Sequence, residues 1–378
     1  VLFLWLSPEP GWAQPLASPD DYVVQTWDTD AGLPDSTVTS LAQTPDGYLW
    51  IGTLHGGLAR FNGTSFQNFT PANTPQLKSI EIHQLLVDGN GTLWIGNVEG
   101  GLISYRDGIF RFEYGNAQTP DSWVKSTLNG STNSGEFASV FGWVFRWFQT
   151  AATNQWHVFI PADTSSAPMT CEDHDGTIWY RLKNGGLAQL RGTNVVQLNA
   201  VSGLRGAQVN TLLTDPSGRV WVGTEKELAV WNGNSFVDMT PTNGPPNLTV
   251  NQIVAGTDGS LWVWTNDQLR KCANRCWLGG ADPFRYNTNS SGSLLADAQG
   301  GVWIFQHGEG LWHISADGQA SRVTPLEGLP NNLMHCWLLD REGNLWLGFT
   351  DGGLACVRPR IFHTVWPNGP KQGKSAHS

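Results

Sequence analysis

Three groups of residues have types and spacing that could carry chemistry, and each spacing restricts what the group can do. The first is a cysteine pair, Cys272 and Cys276, flanking Ala273-Asn274-Arg275. If those three residues close a hairpin, the two sulfurs face one another within bonding range, and a disulfide is expected. Five cysteines are too few for a disulfide scaffold, and an odd number leaves at least one unpaired. The second group is Asp88, Asp173, Asp215, Asp297 and Asp340, each three residues before a glycine. They read as turn residues that hydrogen-bond their own backbone. Each turn offers too few oxygens to hold calcium by itself. The third group is the nine histidines, scattered without His-x-x-x-His or His-Glu pairing, so no metal site is expected from them. No nucleophile with an adjacent base stands out, no cofactor motif is present, and no enzyme is expected on that ground.

The elements that position these residues are visible as a repeat. The block LAQTPDGYLWIGTLHGGLARFNGTSFQNF from Leu41 recurs as LLVDGNGTLWIGNVEGGLISYRDGIFRFE from Leu85, and then from Cys171, Leu212, Ile253, Leu294 and Trp337. Its constant centre is Gly-x-aliphatic-Trp, with the tryptophan at 50, 94, 179, 221, 262, 303 and 346. Neighbouring tryptophans lie 41 to 44 residues apart, except for one gap of 85 between Trp94 and Trp179. A degenerate copy, GEFASVFGWVFRWF from Gly135 followed by NQWHVFI, fits that gap and gives eight units, the third the least regular.

Each unit decodes into four strands. In the first unit a short apolar stretch, residues 38–41, precedes the turn Pro45-Asp46-Gly47. Residues 48–53 are apolar on both sides of the pleat, the pattern of a strand buried on both faces. Gly56-Gly57 opens a third strand, and Asn62-Gly63 is a hairpin signal leading to a fourth. Four antiparallel strands repeated at this period make an all-β propeller, with eight blades favoured and seven the alternative. The tryptophans are then core packing, each contributing roughly 3 kcal/mol of burial.

With those residues in view, the unit Asp-Gly-x-Leu-Trp-Ile-Gly-Thr…Gly-Gly-Leu-x-Arg-Phe-x-Gly resembles the two-component regulator propeller repeat. Ala31-Gly32-Leu33-Pro34-Asp35-Ser36 precedes it, and Gly328-Leu329-Pro330-Asn331-Asn332 repeats that element before the last block. The resemblance covers most of residues 22–366, with the third unit departing from it. It implies an extracytoplasmic ligand sensor, in that family usually followed by an Ig-like module, a membrane span and a histidine kinase. A chain ending at Ser378 carries none of these, and is expected to be either part of a longer sensor with a downstream membrane kinase module or a stand-alone binding protein. Two other propeller signatures do not fit. The sialidase Asp-box needs an aspartate where Pro45, Gly89 and His174 stand, and the quinoprotein dehydrogenase repeat keeps four steps from Gly to Trp against three here.

Variation within the repeat points to the binding face. The turn between second and third strands differs from unit to unit and carries His55, Glu99, Lys183, Asn266, His307, Glu309 and Asp351. Innermost-strand positions eleven residues before a tryptophan add His83, Asn210, Asn251 and His335, with Thr39 likewise. Together they suit a polar small molecule or an oligosaccharide, the carbohydrate part coming from the family resemblance alone. The alternative for each residue is bonding to channel water and backbone. Arg181, Trp264 and Phe305 occupy a position that is glycine in other units and are expected to fill gaps between unequal blades. A non-catalytic sensor is the leading function, and an exported polysaccharide hydrolase or lyase the alternative.

Composition agrees with the strand-rich reading: 44 glycines, 20 tryptophans and only 14% charged residues. A net charge of −10 with no Lys/Arg cluster argues against nucleic acid as a partner. Residues 1–6 (VLFLWL) and a small-x-small site ending at Ala13 look like the remainder of a signal peptide, which implies a periplasmic or otherwise exported protein. The expected division is signal remnant 1–13, propeller 14–366 and polar tail 367–378. Two segments compete to close the ring, residues 22–27 (YVVQTW) and 361–366 (IFHTVW), and the N-terminal one is expected to take the outer place in the last blade.

Overall fold

The computed structural model describes residues 22–97, 101–114, 170–182, 184–191, 194–198, 203–206, 208–244, 248–266, 268–278, 292–306, 309–323, 329–330 and 333–359. It also gives short strands between 126 and 157 and at 284–285. Among the described residues every regular element is a β-strand, and no helix is long and apolar enough to cross a membrane.

The strands form consecutive antiparallel sheets, paired in sequence order from an inner to an outer strand except in the last blade. The Trp50 blade runs Val38–Gln43, Leu49–Thr53, Leu58–Phe61 and Phe66–Phe69. Blades around Trp94, Trp179, Trp221, Trp303 and Trp346 repeat this plan. In the Trp262 blade the outer place is shared by two short pieces, Cys276–Trp277 and Phe284–Arg285, both paired with Gln268–Ala273. Among the described residues that makes seven blades of four-stranded plan, and the eighth unit expected between Trp94 and Trp179 does not form one. Its described pieces make a three-stranded sheet (Ser126–Thr127, Phe137–Val140, Trp143–Arg146) and a two-stranded one (Phe148–Gln149, Trp156–His157). The count is thus the seven-blade alternative. The physical reason is that this unit lacks a tryptophan near Ala138, around which the other blades pack.

The repeated tryptophans sit where the pattern puts them, on second strands that in five of the seven blades are buried throughout. Trp50 and Trp179 are 0% exposed. Core clusters mostly combine residues of two consecutive blades, as where Trp50 and Leu58 pack with Ile82 and Ile95, while one lies within the Trp179 blade alone. Stability therefore resides in the seams between blades as much as within them.

Closure follows the expected course. Tyr22–Trp27 pairs antiparallel with Leu354–Pro359 and becomes the outer strand of the Trp346 blade. Trp27 stacks on Trp346 at 5.4 Å and meets Phe61 of the first blade edge-on at 5.1 Å. At the other end of the strand, the Tyr22 hydroxyl lies 3.1 Å from His313 Nδ1 in the Trp303 blade. The competing segment 361–366, the signal remnant 1–13 and the tail 367–378 lie outside the described residues.

The expected disulfide is not formed; all five cysteines are free. The hairpin loop has two residues, Asn274 and Arg275, both at positive φ (49° and 61°), as a type I′ turn requires. Cys272 is then opposite Trp277, and Cys276 opposite Ala273. A one-residue change in register sends the two sulfurs to opposite faces of the sheet. Cys272 is buried in the core, where burial pushes its thiol up to about 11, and Cys276 is exposed.

Candidate functional site

In five of the seven blades the inner strand enters its sheet through a β-bulge, at the same repeat position each time. Register slips between Val38 and Ser40, Ile82 and Gln84, Val209 and Thr211, Val250 and Gln252, and Met334 and Cys336. The residue displaced in each case is Thr39, His83, Asn210, Asn251 or His335. These are the five polar residues found eleven places before a tryptophan. A bulge frees one residue from the ladder and re-aims its side chain, and bulges concentrate at the rims of β-structures for that reason. The chain thus sets a circle of polar side chains at one end of its inner strands. That end is also where the second-to-third turns emerge.

Two of the five are used between blades. Thr39 Oγ1 donates to the carbonyl of Ile82, and Asn210 Nδ2 donates to the carbonyl of Val250 at 3.0 Å. Both acceptors hold the same place in the following blade's inner strand, so these side chains act as clamps and bear out the structural alternative. Asn251 and His335 are exposed. His83 Nε2 lies 4.0 Å from Glu81 Oε2, with 13% of its side chain exposed.

The turn residues divide in the same way. His55 is exposed, and its backbone N–H donates to Asp35 Oδ2 at 2.7 Å, so the loop before the blade fixes the turn while the imidazole stays in solvent. Asn266 is exposed and accepts from Asn251 Nδ2 at 3.4 Å, the contact that joins a turn candidate to a bulge candidate. Glu309 is half-buried, and its carbonyl accepts from Arg322 at 2.7 Å. Asp351 adopts φ 53° and accepts from Thr37 Oγ1 at 3.1 Å, which makes it a bridge between the last and first blades. Glu99, Lys183 and His307 lie outside the described residues.

The aspartates that sequence reasoning assigned to their own turns do more than that. One oxygen accepts backbone N–H groups two and four residues ahead, as Asp88 does from Asn90 and Thr92. The other accepts the indole N–H of the blade's tryptophan six residues on: Asp88–Trp94 3.0 Å, Asp173–Trp179 2.9 Å, Asp215–Trp221 2.8 Å, Asp340–Trp346 2.8 Å. The constant six-residue offset was present in the sequence. Asp297 departs from the rule and faces His313 Nε2 at 2.7 Å. Burial alone would raise the Asp215 pKa, but hydrogen bonds from Ser217, Trp221 and Arg219 outweigh it and hold the carboxyl below its ordinary value. These carboxylates are committed to the fold, on the face away from the bulges. Among the described residues no group of three or more His, Cys, Asp or Glu could hold a metal ion.

Where other blades have glycine, Trp264 is buried and its ring fills the space above Gly292, whose Cβ would come within 2.1 Å of it. Arg181 donates to the carbonyl of Val209 in the next blade, and Phe305 packs with Met334 in the seam that follows it. All three fill gaps between blades.

The family model described as two component regulator propeller matches residues 32–55, 203–226 and 328–351. Those three segments match the two-component regulator propeller repeat. No curated protein matches its sequence. Among solved structures it resembles the extracellular domain of a protein described as a one component system of B. thetaiotaomicron, at 18% identity and TM-score 0.51. That alignment covers 90% of this chain and 40% of the other, so the chain spans under half of that domain's length. It also resembles a streptogramin B lyase (13% identity, TM-score 0.53, covering 91% and 100%) and the virginiamycin B lyase of Staphylococcus aureus (12%, 0.53, 89% and 99%). At these identities the likeness is one of fold.

Each matched segment has the same extent in its blade. It begins in the loop before the inner strand, passes the bulge and the hairpin, and stops in the second-to-third turn. Thr39, Asn210 and His335 fall inside the matched segments, as do His55 and Asp351. The recognisable part of the repeat is therefore the half-blade that builds the bulged rim.

Proposed function

We propose that this propeller is a non-catalytic sensor or binding module working outside the cytoplasm, with a polar, hydroxyl-rich ligand, most simply an oligosaccharide, held on the bulged rim. The observation that carries this reading is the recurrence of the bulge. Five blades interrupt a regular ladder at one position, each time at a polar residue, and the turns beside them vary on a scaffold that does not. The imidazole and amide groups of His83, Asn251 and His335 are donors and acceptors suited to hydroxyls. His55, Asn266, Glu309 and Asp351 flank them, and Glu99, Lys183 and His307 belong to the same turns in sequence.

A glycan array followed by calorimetry on alanine variants tests it. Substitutions at His83, Asn251, His335 and Glu309 should weaken binding, while Asp46→Ala and Asn62→Ala on the opposite hairpins should leave it unchanged. Equal effects from both sets would refute the location. Cleavage of the ligand during titration would replace the sensor by a hydrolase or lyase.

A further inference from the structure

The bulged rim is not uniform around the ring. Its loops meet in a repeated way, the second-to-third turn of one blade being held by the loop that leads into the next. Gly57 N–H donates to the carbonyl of Ile80 at 2.9 Å, and Gly353 N–H to the carbonyl of Ser36 at 2.7 Å. These two clasps join the Trp346, Trp50 and Trp94 blades into one continuous strip of rim. Where the last blade meets the first, Thr37 stands between two carboxylates. Its N–H donates to Asp35 Oδ1 at 3.4 Å and its hydroxyl to Asp351 Oδ1 at 3.1 Å. His55 lies beside them, with Nδ1 3.8 Å from Asp35 Oδ2, and Glu81 follows Ile80 at the next clasp.

Two properties set this strip apart. The first is apolar side chains left in solvent. Ile80 is 40% exposed and Leu333 55%, standing three residues before His83 and two before His335. The other large apolar residues exposed among the described ones, such as Ile109, Val195 and Val237, lie on outer strands or, for Leu278, just after one. The second property is charge. Residues 1–59, 323–340 and 342–357 contain no lysine or arginine, and residues 61–105 contain one, Lys78. Arg60 and Arg341, which interrupt these runs, bond Gln67 and the carbonyl of Pro45 on the hairpin side. The strip thus carries Asp28, Asp30, Asp35, Glu81 and Asp351 against Lys78. Among the described residues the charged partners of these carboxylates are His55 and His83, not lysine or arginine. In the Trp221 blade, by contrast, Arg205 pairs with Glu227 and Asp238.

We infer that the rim ligand lies across this three-blade strip and is an oligosaccharide bearing protonated amino groups, an inference that rests on the rim being the binding face. A protonated amine finds carboxylates there that no lysine or arginine neutralises. The imidazoles and the Thr37 region supply donors and acceptors for hydroxyls. Ile80 and Leu333 offer aliphatic contact to the C–H face of a pyranose ring. Sugars with uronate or sulfate groups meet the same field with the wrong sign and are repelled.

Calorimetry on the full chain in neutral, low-salt buffer compares tetramers of glucosamine, N-acetylglucosamine and glucuronic acid that share one linkage. The glucosamine tetramer should bind saturably and at least tenfold tighter than its N-acetylated counterpart, and the glucuronic acid tetramer at least tenfold weaker than that. The preference for the amine should fade as salt is raised. Asp351→Asn and Glu81→Gln keep the shape of each side chain and should each shrink the preference to under threefold, so that either serves if the other fails to fold. Asp46→Asn on the opposite hairpins should leave it intact. A glucosamine tetramer that does not bind, or binds no tighter than the N-acetylated one, would overturn the charge assignment, and a preference unmoved by both variants would overturn the location. In either case, binding of a neutral glycan that is still lost in His335→Ala leaves the rim reading standing, whereas glycan binding untouched by His335→Ala refutes the rim itself.

Discussion

Replacing Asp215 by alanine removes the acceptor for five groups at once: the backbone N–H of Ser217 and Arg219, the Ser217 hydroxyl, Arg219 Nε at 2.8 Å and the indole N–H of Trp221 at 2.8 Å. Hydrogen bonds to a charged acceptor contribute about 1.5–3 kcal/mol each, but they share one carboxylate and do not add. The Trp221 ring is 5% exposed, so its N–H is left without water or partner. A loss of about 3 kcal/mol is expected. With an unfolding entropy of about 2 cal/mol/K per residue, a cooperative unit of this length converts that into a fall of about 4–5 °C. The first blade supplies an internal control, because Trp50 Nε1 donates to Thr44 Oγ1 there and Asp46 only receives the Thr44 hydroxyl. Asp46→Ala should therefore cost under about 1 kcal/mol. Because the folded pKa of Asp215 is depressed, its contribution is present above the ordinary carboxylate pKa and is lost as pH falls through the folded value. The variant should accordingly lose part of the acid-side slope of stability. Thermal unfolding from pH 2 to 7 measures both effects. Equal losses at Asp46 and Asp215, or an unchanged acid slope, would refute the reasoning.

Further outcomes follow from the same structure. Trp27→Ala removes a partly buried ring held between two blades and should cost about 2–3 kcal/mol, while Gln25→Ala, at an exposed position of the same strand, should be silent in a thermal melt. Gly292→Ala drives a methyl into the Trp264 ring and should destabilise, with partial rescue by Trp264→Phe in a double-variant cycle. Alkylation of the native protein should modify Cys276 and spare Cys272, and intact mass should not change on reduction.

Much of the architecture was legible because its determinants are periodic. The tryptophan spacing, the doubly apolar second strand and the Asn-Gly and Asp-Gly turns all survive in single copies, and the strand at 22–27 could be matched to a vacant outer place. The eighth blade was misread because spacing alone, without a tryptophan, does not build a blade core. The cysteine hairpin turned on whether Ala273 belongs to the loop or to the strand. Asn274, a residue tolerant of positive φ, was the available signal for the shorter loop. The rim residues were found by their position eleven places before each tryptophan, but their displacement by a bulge was invisible, since a bulge leaves no fixed residue type behind. The aspartate-to-indole bond was missed although its offset never varied. A turn explained each aspartate's presence, and only the fold shows that its second oxygen points at the core.

The pairing of Tyr22–Trp27 with Leu354–Pro359 joins residues from opposite extremes of the described chain, and this orders events in time. Hairpins and neighbouring blades form from contacts close in sequence, whereas this last ladder must close a loop of almost the whole molecule before any bond rewards it. During synthesis the N-terminal strand waits while every blade is made, and the edge of Leu354–Pro359 stays open until it returns. At high concentration the strand of a second molecule can fill that edge equally well. Conditions that crowd unfinished chains should therefore yield strand-exchanged dimers, arising at the blade that draws strands from both extremes of the described propeller.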